Sequence, residues 1–580
     1  MPVPRAGDLD WRRILQRDFW LRDEQSLVVV ALLIGALSGL AAAALVGMID
    51  WIGQLIPAVE GEGHPPWWIV LVPAAGGLLI GPIVTMAAPE TKGHGVPEVM
   101  LAVARNRGVI RARVAVLKAI SAAITIGTGG SAGREGPIVQ IGSAVGSASG
   151  TLLRRKPEMV RMLVACGAAG GIAASFNTPI AGVIFALEVI LRDFTGRAFA
   201  TVVIAAVTAS VVSRGILGQA AFFDVPAHSV VSHWELLSYA ALGVLGAVMA
   251  RIFVVVLYRI EDAFEDLPFP GVLKPALGGL LLGGLAWLMP GVLGTGHETI
   301  ELALHGELLL GGMLALAFAK ILATSFTLGS GGSGGVFAPS LFMGAMLGGA
   351  FGATMNLLFP QLQAHPGAYA LVGMGVVFTG ATWAAMSGIL FLFELTRDYG
   401  LILPMMIACV TSLLVARRMA PDTIYTRKLL RRGIDLDARS PVQLTDVLVE
   451  AVMTPNPETI RADTTLRTLL SQVDASHHSG FPVVDERGRA IGIITAAELI
   501  DGMAVGHDGP DLIIAQDVMR PFEPSVTPHE TIAEAVEKMR VAGVRRLPVV
   551  EDGSEGRLLG ILTNHDVVST LARLRKESRP

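Results

Sequence analysis

The 580-residue sequence has little charge, few aromatic side chains and almost no cysteine. Charged residues make up 16% of the chain and hydrophobic residues 52%, whereas soluble domains carry about 25% charged residues. This deficit excludes an ordinary soluble protein and indicates lipid as the main solvent. The net charge of −4 is small for the length and gives no sign of a nucleic-acid partner.

The scarcity of cysteine excludes a framework of disulfides. Cys166 and Cys409 both lie in apolar segments, where we expect them to act as small hydrophobic side chains. No metal site is predicted either, because residues 297–301 (HETIE) lack the second histidine of an H-E-x-x-H zinc motif. Glycine, by contrast, is abundant, with 67 residues, and it is more frequent in membrane helices than in soluble ones.

The composition changes sharply near residue 433, from apolar runs to a soluble mixture. Residues 1–26 lack the features of a secretory signal and predict a short amphipathic helix at the cytoplasmic face. We predict a membrane domain over 27–433, a linker over 434–446 and two small domains over 447–505 and 514–575.

The apolar runs of the membrane domain differ in length. Crossing a bilayer takes about 20 residues. Some runs reach that length: 27–49, 66–88, 198–217, 236–258 and 308–328. Others are expected to be too short or too interrupted, among them 135–150, 158–172, 335–355 and 401–416. Short helices of this kind predict broken helices that end inside the membrane, where they line a transport site.

The membrane domain also contains an internal repeat. Residues 129–137 (GGSAGREGP) resemble residues 331–339 (GGSGGVFAP), and residues 179–194 resemble residues 386–399. The offset is about 200 residues in both cases. The predicted fold class is therefore an all-α polytopic membrane protein of two halves in inverted topology, with the substrate site between them.

Two glycine-rich motifs predict helix starts that attract anions. In residues 133–137 (GREGP), Pro137 suits the first helical turn, and the helix N-terminus presents free N–H groups. Glu135 is then a charge in an apolar setting, and such a residue indicates function. The alternative is a carboxylate that only caps its helix. Residues 334–339 (GGVFAP) have the same layout without an acid, and the alternative there is close helix packing through small residues.

These motifs, with residues 93–98 (GHGVPE) and the segment 422–425 (DTIY), resemble the CLC chloride channel and transporter family over residues 27–433. The resemblance implies that Glu135 is the gate and that each of two paired subunits holds its own pore. It also implies that a group of residues contacts chloride or a related anion: His94, Gly95, Arg134, Gly136, Val336, Phe337 and Tyr425.

Two positions depart from the family pattern. His94 stands where chloride-selective members usually carry Ser, and its imidazole is expected to add pH sensitivity and to alter anion preference. Val189 stands where proton-coupled members carry an acid, so that the internal proton site lacks its carboxylate. The substitution at Val189 favours a gated channel over the alternative, a chloride/proton antiporter.

The tail repeats one pattern of helix and strand twice, and it resembles a pair of CBS domains. The resemblance implies that an adenine nucleotide binds at Thr495, Glu498, Thr563 and Asp566, although Glu498 is longer than the usual Asp. The alternative is a structural pair that binds nothing. No other cofactor is expected, and none is required for transport.

The rival class is an intramembrane serine hydrolase, because residues 129–133 and 331–335 both satisfy G-x-S-x-G. A serine nucleophile needs a base, and the only histidine close to these motifs in the sequence is His94. We therefore expect a protein that is not an enzyme. Its expected location is a bacterial plasma membrane, with both termini in the cytoplasm.

Overall fold

The structure is a computed structural model that forms two compact units, Met1–Asp435 and Leu436–Pro580. The described residues are 24–56, 66–218, 223, 235–360, 365–396, 399–436, 447–476, 478, 480–505, 511–522, 524–551 and 556–577. The amphipathic helix expected over residues 1–26 lies, apart from its last three residues, outside this range, as does most of the expected linker.

The described part of the first unit is built from helices, as the sequence predicts. They are α1 Glu24–Gln54, α2 Trp68–Pro82, α3 Val96–Ala104, α4 Ala112–Gly127, α5 Glu135–Leu152, α6 Pro157–Phe176, α7 Pro179–Phe185, α8 Gly196–Leu217, α9 Glu235–Asp266, α10 Lys274–Leu288, α11 His297–Leu304, α12 Leu310–Gly329, α13 Phe337–Leu358, α14 Pro366–Thr382, α15 Ala385–Thr396, α16 Ile402–Met419 and α17 Ile424–Arg431. A π-helical turn, Ala186–Leu191, continues α7.

Nine helices in the described residues are long and apolar enough to cross a membrane. They include all five of the long runs. The expectation was wrong for 401–416, which lies in the apolar span Ile402–Arg431. It was also wrong for 158–172 and 335–355, because these runs belong to α6, with 20 residues, and α13, with 22. Glycines do not end these two helices but allow close packing. Of the shorter segments, Pro179–Leu191, Pro366–Thr382 and Ala385–Thr396 do remain short apolar helices.

The internal repeat is visible in how the helices pack. Gly142 of α5 faces Gly167 of α6, and Gly344 of α13 faces Gly373 of α14. A Cβ atom at any of these positions would collide with the facing carbonyl oxygen. These two helix pairs, whose backbones touch, therefore lie at equivalent places in the two halves of the domain.

Sharp chain reversals follow the second helix of each pair. The residue after α6, Asn177, has φ 58°, and the residue after α14, Trp383, has φ 63°. This left-handed conformation ends a helix and lets the chain turn back. The short helices α7 and α15 begin directly after these reversals. Both halves therefore have a short helix at the same place in the order of their elements.

The second unit alternates strands and helices. Its elements are β1 Thr454–Pro455, β2 Ile460–Arg461, α18 Leu466–Ala475, β3 Gly480–Val484, β4 Ala490–Thr495, α19 Ala496–Val505, α20 Ala515–Val518, β5 Arg520–Pro521, α21 Ile532–Ala542, β6 Arg546–Val550, β7 Leu558–Thr563 and α22 Asn564–Glu577. They form one sheet in the order β1-β7-β6 and another in the order β2-β3-β4-β5. The pairing of β2 with β3 is parallel, and the other strand pairs are antiparallel.

Candidate functional site: an anion site between the two halves

The carboxylate of Glu135 lies at the N-terminus of a helix from the other half of the domain. Its Oε1 accepts hydrogen bonds from the backbone N–H groups of Phe337 (2.5 Å) and Ala338 (3.0 Å), in the first turn of α13. The side chain is only 4% exposed. A helix N-terminus carries a partial positive charge and free N–H groups. Glu135 thus occupies a position that would otherwise suit a small anion.

Two glycine loops hold this carboxylate between them. Gly133 N donates to Gly335 O over 2.9 Å, and Gly335 N donates to Gly133 O over 2.6 Å. A Cβ at either glycine would collide with the carboxylate of Glu135. Both motifs therefore require glycine at these positions, because the two loops and the Glu135 carboxylate lie so close together.

A reciprocal pair of hydrogen bonds fixes each of these loops to the helix that precedes the other loop. Ser131 N donates to Thr327 Oγ1 (3.1 Å), and Ser333 N donates to Thr125 Oγ1 (3.3 Å). The hydroxyl of Ser131, the nucleophile that a serine hydrolase would require, lies 3.2 Å from Thr324 Oγ1. Its neighbour is a threonine and not a base, so the geometry gives a serine nucleophile no support.

Two buried lysines tether two further loops. Lys118 of α4 donates to Thr91 O (2.9 Å) and Gly93 O (2.7 Å), which precede His94. Lys320 of α12 donates to Val292 O and Gly294 O, both at 2.9 Å. Neither lysine was predicted from the sequence. The available signal was a single lysine inside an apolar helix, repeated at an offset of 202 residues, the same offset that separates Glu135 from Phe337.

His94 is one of the buried residues that surround the Glu135 carboxylate, a group that is called the shell below. Its side chain is buried, its carbonyl oxygen packs against Gly136, and its ring centroid is 5.9 Å from that of Tyr425. Its Nε2 lies 3.3 Å from the hydroxyl of Tyr258 on α9, a residue that the sequence analysis did not single out. The next residue, Gly95, starts α3 with φ 75°, a conformation that favours glycine.

The other expected anion contacts are distributed around this shell. Tyr425 is 2% exposed and follows Thr423, whose side chain caps α17, and it lies within electrostatic reach of Glu135. Val336 precedes the first turn of α13. Arg134 turns aside, since its Nη2 donates to Ser175 O over 2.9 Å and its guanidinium lies 5.0 Å from the ring centre of Phe176.

A cavity of about 1120 Å³ leads to this shell. Its lining includes Arg134, which precedes Glu135 in the sequence, and Ala338, whose N–H donates to the Glu135 carboxylate. Phe176, His297 and Leu341 also line it. The cavity therefore extends to residues that adjoin the Glu135 carboxylate.

Comparison with known proteins identifies the family. The model of the voltage-gated chloride channel family matches residues 76–417, and that of the CBS domain matches residues 449–505 and 515–573. The chain belongs to the CLC family. It is a membrane protein of bacterial CLC type that carries a CBS pair, and the family transports chloride.

CLC relatives with assigned names fall into two groups. A protein of Ralstonia nicotianae named as a ClcB-like chloride channel protein is 36% identical over 64% of this chain and 87% of its own length. H(+)/Cl(−) exchange transporter ClcA of Yersinia pseudotuberculosis is 32% identical over 77% of this chain and 96% of its own. The ClcA of Klebsiella pneumoniae is 33% identical, with 74% and 92% covered.

Solved CLC structures share the fold. A slow cyanobacterial Cl−/H+ antiporter matches with a TM-score of 0.64 and 27% identity, over 71% of this chain and 98% of that chain. A eukaryotic CLC transporter matches with a TM-score of 0.58 and 21% identity, over 93% and 97%. The second match supports the fold alone.

The position that the resemblance assigns to the internal proton site, residue 189, is buried and apolar. Val189 lies in the π-helical turn that continues α7 and is 6% exposed. The neighbouring carboxylate of Glu188 points to another helix, where it accepts from Ser387 N (2.9 Å) and Ser387 Oγ (2.6 Å). The Glu188 carboxylate is therefore engaged at the start of α15.

The expected nucleotide-binding residues of the CBS pair bond to one another. Asp566 Oδ2 accepts from Thr563 N (2.9 Å) and Thr563 Oγ1 (2.7 Å). Glu498 Oε2 likewise accepts from the N–H and the hydroxyl of Thr495. Burial acts to raise the pKa of Glu498, but the hydrogen bonds from Thr495 outweigh it, and the pKa lies below its ordinary value. Both acids thus cap the helix that follows their strand.

Proposed function

We propose that this protein exchanges chloride for protons across a bacterial plasma membrane, with Glu135 as the group that alternates between the anion site and the proton. The observation that carries the proposal is the pair of hydrogen bonds from Phe337 and Ala338 to the Glu135 carboxylate. A carboxylate and a chloride ion compete for the same N–H groups. Protonation of Glu135 removes its charge and favours its release, so that proton binding is linked to anion entry.

The choice of exchanger over channel depends on the relatives. The ClcA proteins, which cover about three-quarters of this chain, are named as H(+)/Cl(−) exchangers, and the cyanobacterial structure is that of an antiporter. Two observations favour the second candidate, a passive chloride channel: Val189, and the Ralstonia relative that is named as a chloride channel protein. We favour the exchanger because the relatives named as exchangers cover 77% and 74% of this chain, against 64% for the Ralstonia protein.

The deciding experiment measures the reversal potential of the purified full-length protein in proteoliposomes. A chloride gradient is imposed first alone and then together with a pH gradient. An exchanger shifts its reversal potential with both gradients and moves protons uphill when chloride drives it. A potential that follows chloride alone, with no uphill proton movement, would establish the channel instead. Glu135→Gln serves as the uncoupled reference and protein-free liposomes as the blank.

We further propose that two copies of the chain pair, that both termini lie in the cytoplasm and that the CBS pair binds an adenine nucleotide. The family resemblance supports the pairing. Thr563 and Asp566, adjacent at the start of α22, support the nucleotide site, since hydroxyl and carboxylate oxygens suit a phosphate and a ribose respectively. Mass photometry in detergent tests the pairing, and protease access to sealed vesicles of known orientation tests the termini.

A further inference from the structure

The hydroxyl group of Tyr258 fixes the tautomer of His94. Tyr258 is 2% exposed, and its single hydroxyl proton is donated to Ile424 O over 2.6 Å. The same oxygen can therefore only accept from His94 Nε2, which lies 3.3 Å away. A neutral His94 then carries its proton on Nε2 and a lone pair on Nδ1.

The Nδ1 atom of His94 is buried and has no hydrogen-bond partner among the described residues. A buried polar atom in this state is costly, and it calls for a partner that the described residues do not supply, such as an ion or a water molecule. The ring lies in the shell of Glu135 and Tyr425, where an anion would replace the carboxylate. A lone pair on Nδ1 repels such an anion, whereas a protonated Nδ1 would donate a hydrogen bond to it.

The charges around His94 couple its protonation to the anion. The cations that act on it are Lys118 from α4 and Lys428 and Arg432 from the α17 segment. Lys118 bonds to backbone carbonyls, and Lys428 and Arg432 face Glu98 of α3. The remaining titratable groups of the shell are Glu135 of α5, Tyr258 of α9 and Tyr425 of α17. Burial is the main factor that disfavours a positive charge on His94 in an empty site, and the three cations oppose that charge further. A bound anion offsets this opposition.

We propose that His94 takes up a proton when chloride enters the site, so that chloride is held more tightly as the pH falls. The inference rests on the proposed function, because it requires an anion in place of the Glu135 carboxylate. Tyr258 is a positioning residue in this scheme. It keeps the neutral imidazole in the form that cannot donate to the anion, and so makes the proton necessary.

Calorimetry of chloride binding tests the proposal on the purified full-length protein in detergent. Titrations in two buffers with different ionisation enthalpies give the number of protons taken up with each chloride. Glu135→Gln is the starting variant, because Glu135 would itself bind a proton on displacement. We expect this variant to take up as much as about one proton per chloride, with chloride affinity rising about tenfold for each unit by which the pH falls at the steepest part.

Two second-site changes separate the imidazole from other sources of protons. Glu135→Gln combined with His94→Ser should bind chloride with no proton uptake and no pH dependence, since a serine hydroxyl is a neutral donor. Glu135→Gln combined with Tyr258→Phe frees the imidazole to place its proton on Nδ1. Chloride should then bind with clearly less proton uptake than in Glu135→Gln alone.

The outcomes are distinguishable. Equal proton uptake in Glu135→Gln with and without His94 would overturn the inference, and so would unchanged uptake after Tyr258→Phe. Chloride binding in Glu135→Gln that is independent of pH would also overturn the inference, while leaving the proposed function intact. Absence of chloride binding to Glu135→Gln at every pH would overturn the proposed function, and the inference with it.

Discussion

Glu188 and Glu394 each cap the helix that carries the other. Glu188 accepts from Met386 N (3.3 Å) and Ser387 N (2.9 Å), at the start of α15. Glu394, on α15, accepts from Ile180 N (3.0 Å) and Ala181 N (2.7 Å), at the start of α7. The offset is 206 residues for the acids and for both pairs of donors, so one interaction is built twice by the two halves.

This exchange of caps predicts a structural effect without a transport effect. Glu188→Gln or Glu394→Gln replaces one of two accepting oxygens by an NH2 group and removes the charge that favours a helix N-terminus. We expect each change to cost about 1 kcal/mol of stability. Thermal denaturation followed by size-exclusion chromatography should show a lower Tm, with chloride flux per folded protein unchanged. Glu265→Gln, at an exposed carboxylate, is the control. Altered flux with normal stability would contradict the structural role.

Glu135→Gln should raise chloride affinity and uncouple chloride from protons. The carboxylate competes for the N–H groups of Phe337 and Ala338 through charge-assisted hydrogen bonds, which contribute about 1.5–3 kcal/mol. Loss of the charge should therefore raise chloride affinity by about tenfold or more. Chloride efflux from proteoliposomes with an external pH electrode measures both effects. Persistence of the parent protein's full pH dependence would mean that Glu135 is not the gate.

The buried lysines should differ in their effect on chloride although their contacts are the same. Lys118→Met and Lys320→Met each leave two carbonyl oxygens without a donor, which should cost about 1–3 kcal/mol. Lys118 holds the loop before His94, so only Lys118→Met should also weaken chloride binding. Each variant is the control for the other, in thermal denaturation and chloride calorimetry. Equal losses of chloride affinity would refute a special role for the loop at Gly93.

Val189→Glu should make proton exchange faster. The residue is buried in the turn that continues α7, and a carboxylic acid there would bind and release protons in an apolar setting. Chloride-driven proton uptake in proteoliposomes should rise several-fold, while the reversal potential keeps its dependence on both gradients. Val189→Gln adds similar bulk without a titratable group and should leave the rate low. An equal increase in both variants would show that size, and not proton binding, limits exchange.

Asp566→Ala should remove adenine-nucleotide binding from the full-length protein. The change deletes both the expected contact with the ribose and the cap on Thr563. Glu534→Ala is a matched control, because Glu534 makes the same two hydrogen bonds to Thr531 at the start of α21. Calorimetry with ATP, ADP and AMP should show binding in the control and none in Asp566→Ala. Nucleotide binding that survives Asp566→Ala would show that this residue does not hold the ribose.

The sequence by itself determined the fold class, the two halves and the positions of the helix starts. These depend on local chemistry: apolar runs, a proline suited to the first helical turn, and glycines beside it. The motifs at 133–137 and 334–339 could therefore be recognised one by one. The predicted lengths of α6 and α13 were too short, because glycines in a sequence were taken to interrupt a helix. In the structure these glycines allow two helices to pack closely.

The tertiary structure alone decided which groups meet. The carboxylate of Glu135 bonds to N–H groups about 200 residues away, and Lys118 and Tyr258 act on a loop that lies elsewhere in the chain. A lone lysine or tyrosine in an apolar helix gives no local sign of its partner. Burial supplies the reason for these contacts, because every polar group away from water must find a partner, and only the packed chain determines which one is within reach.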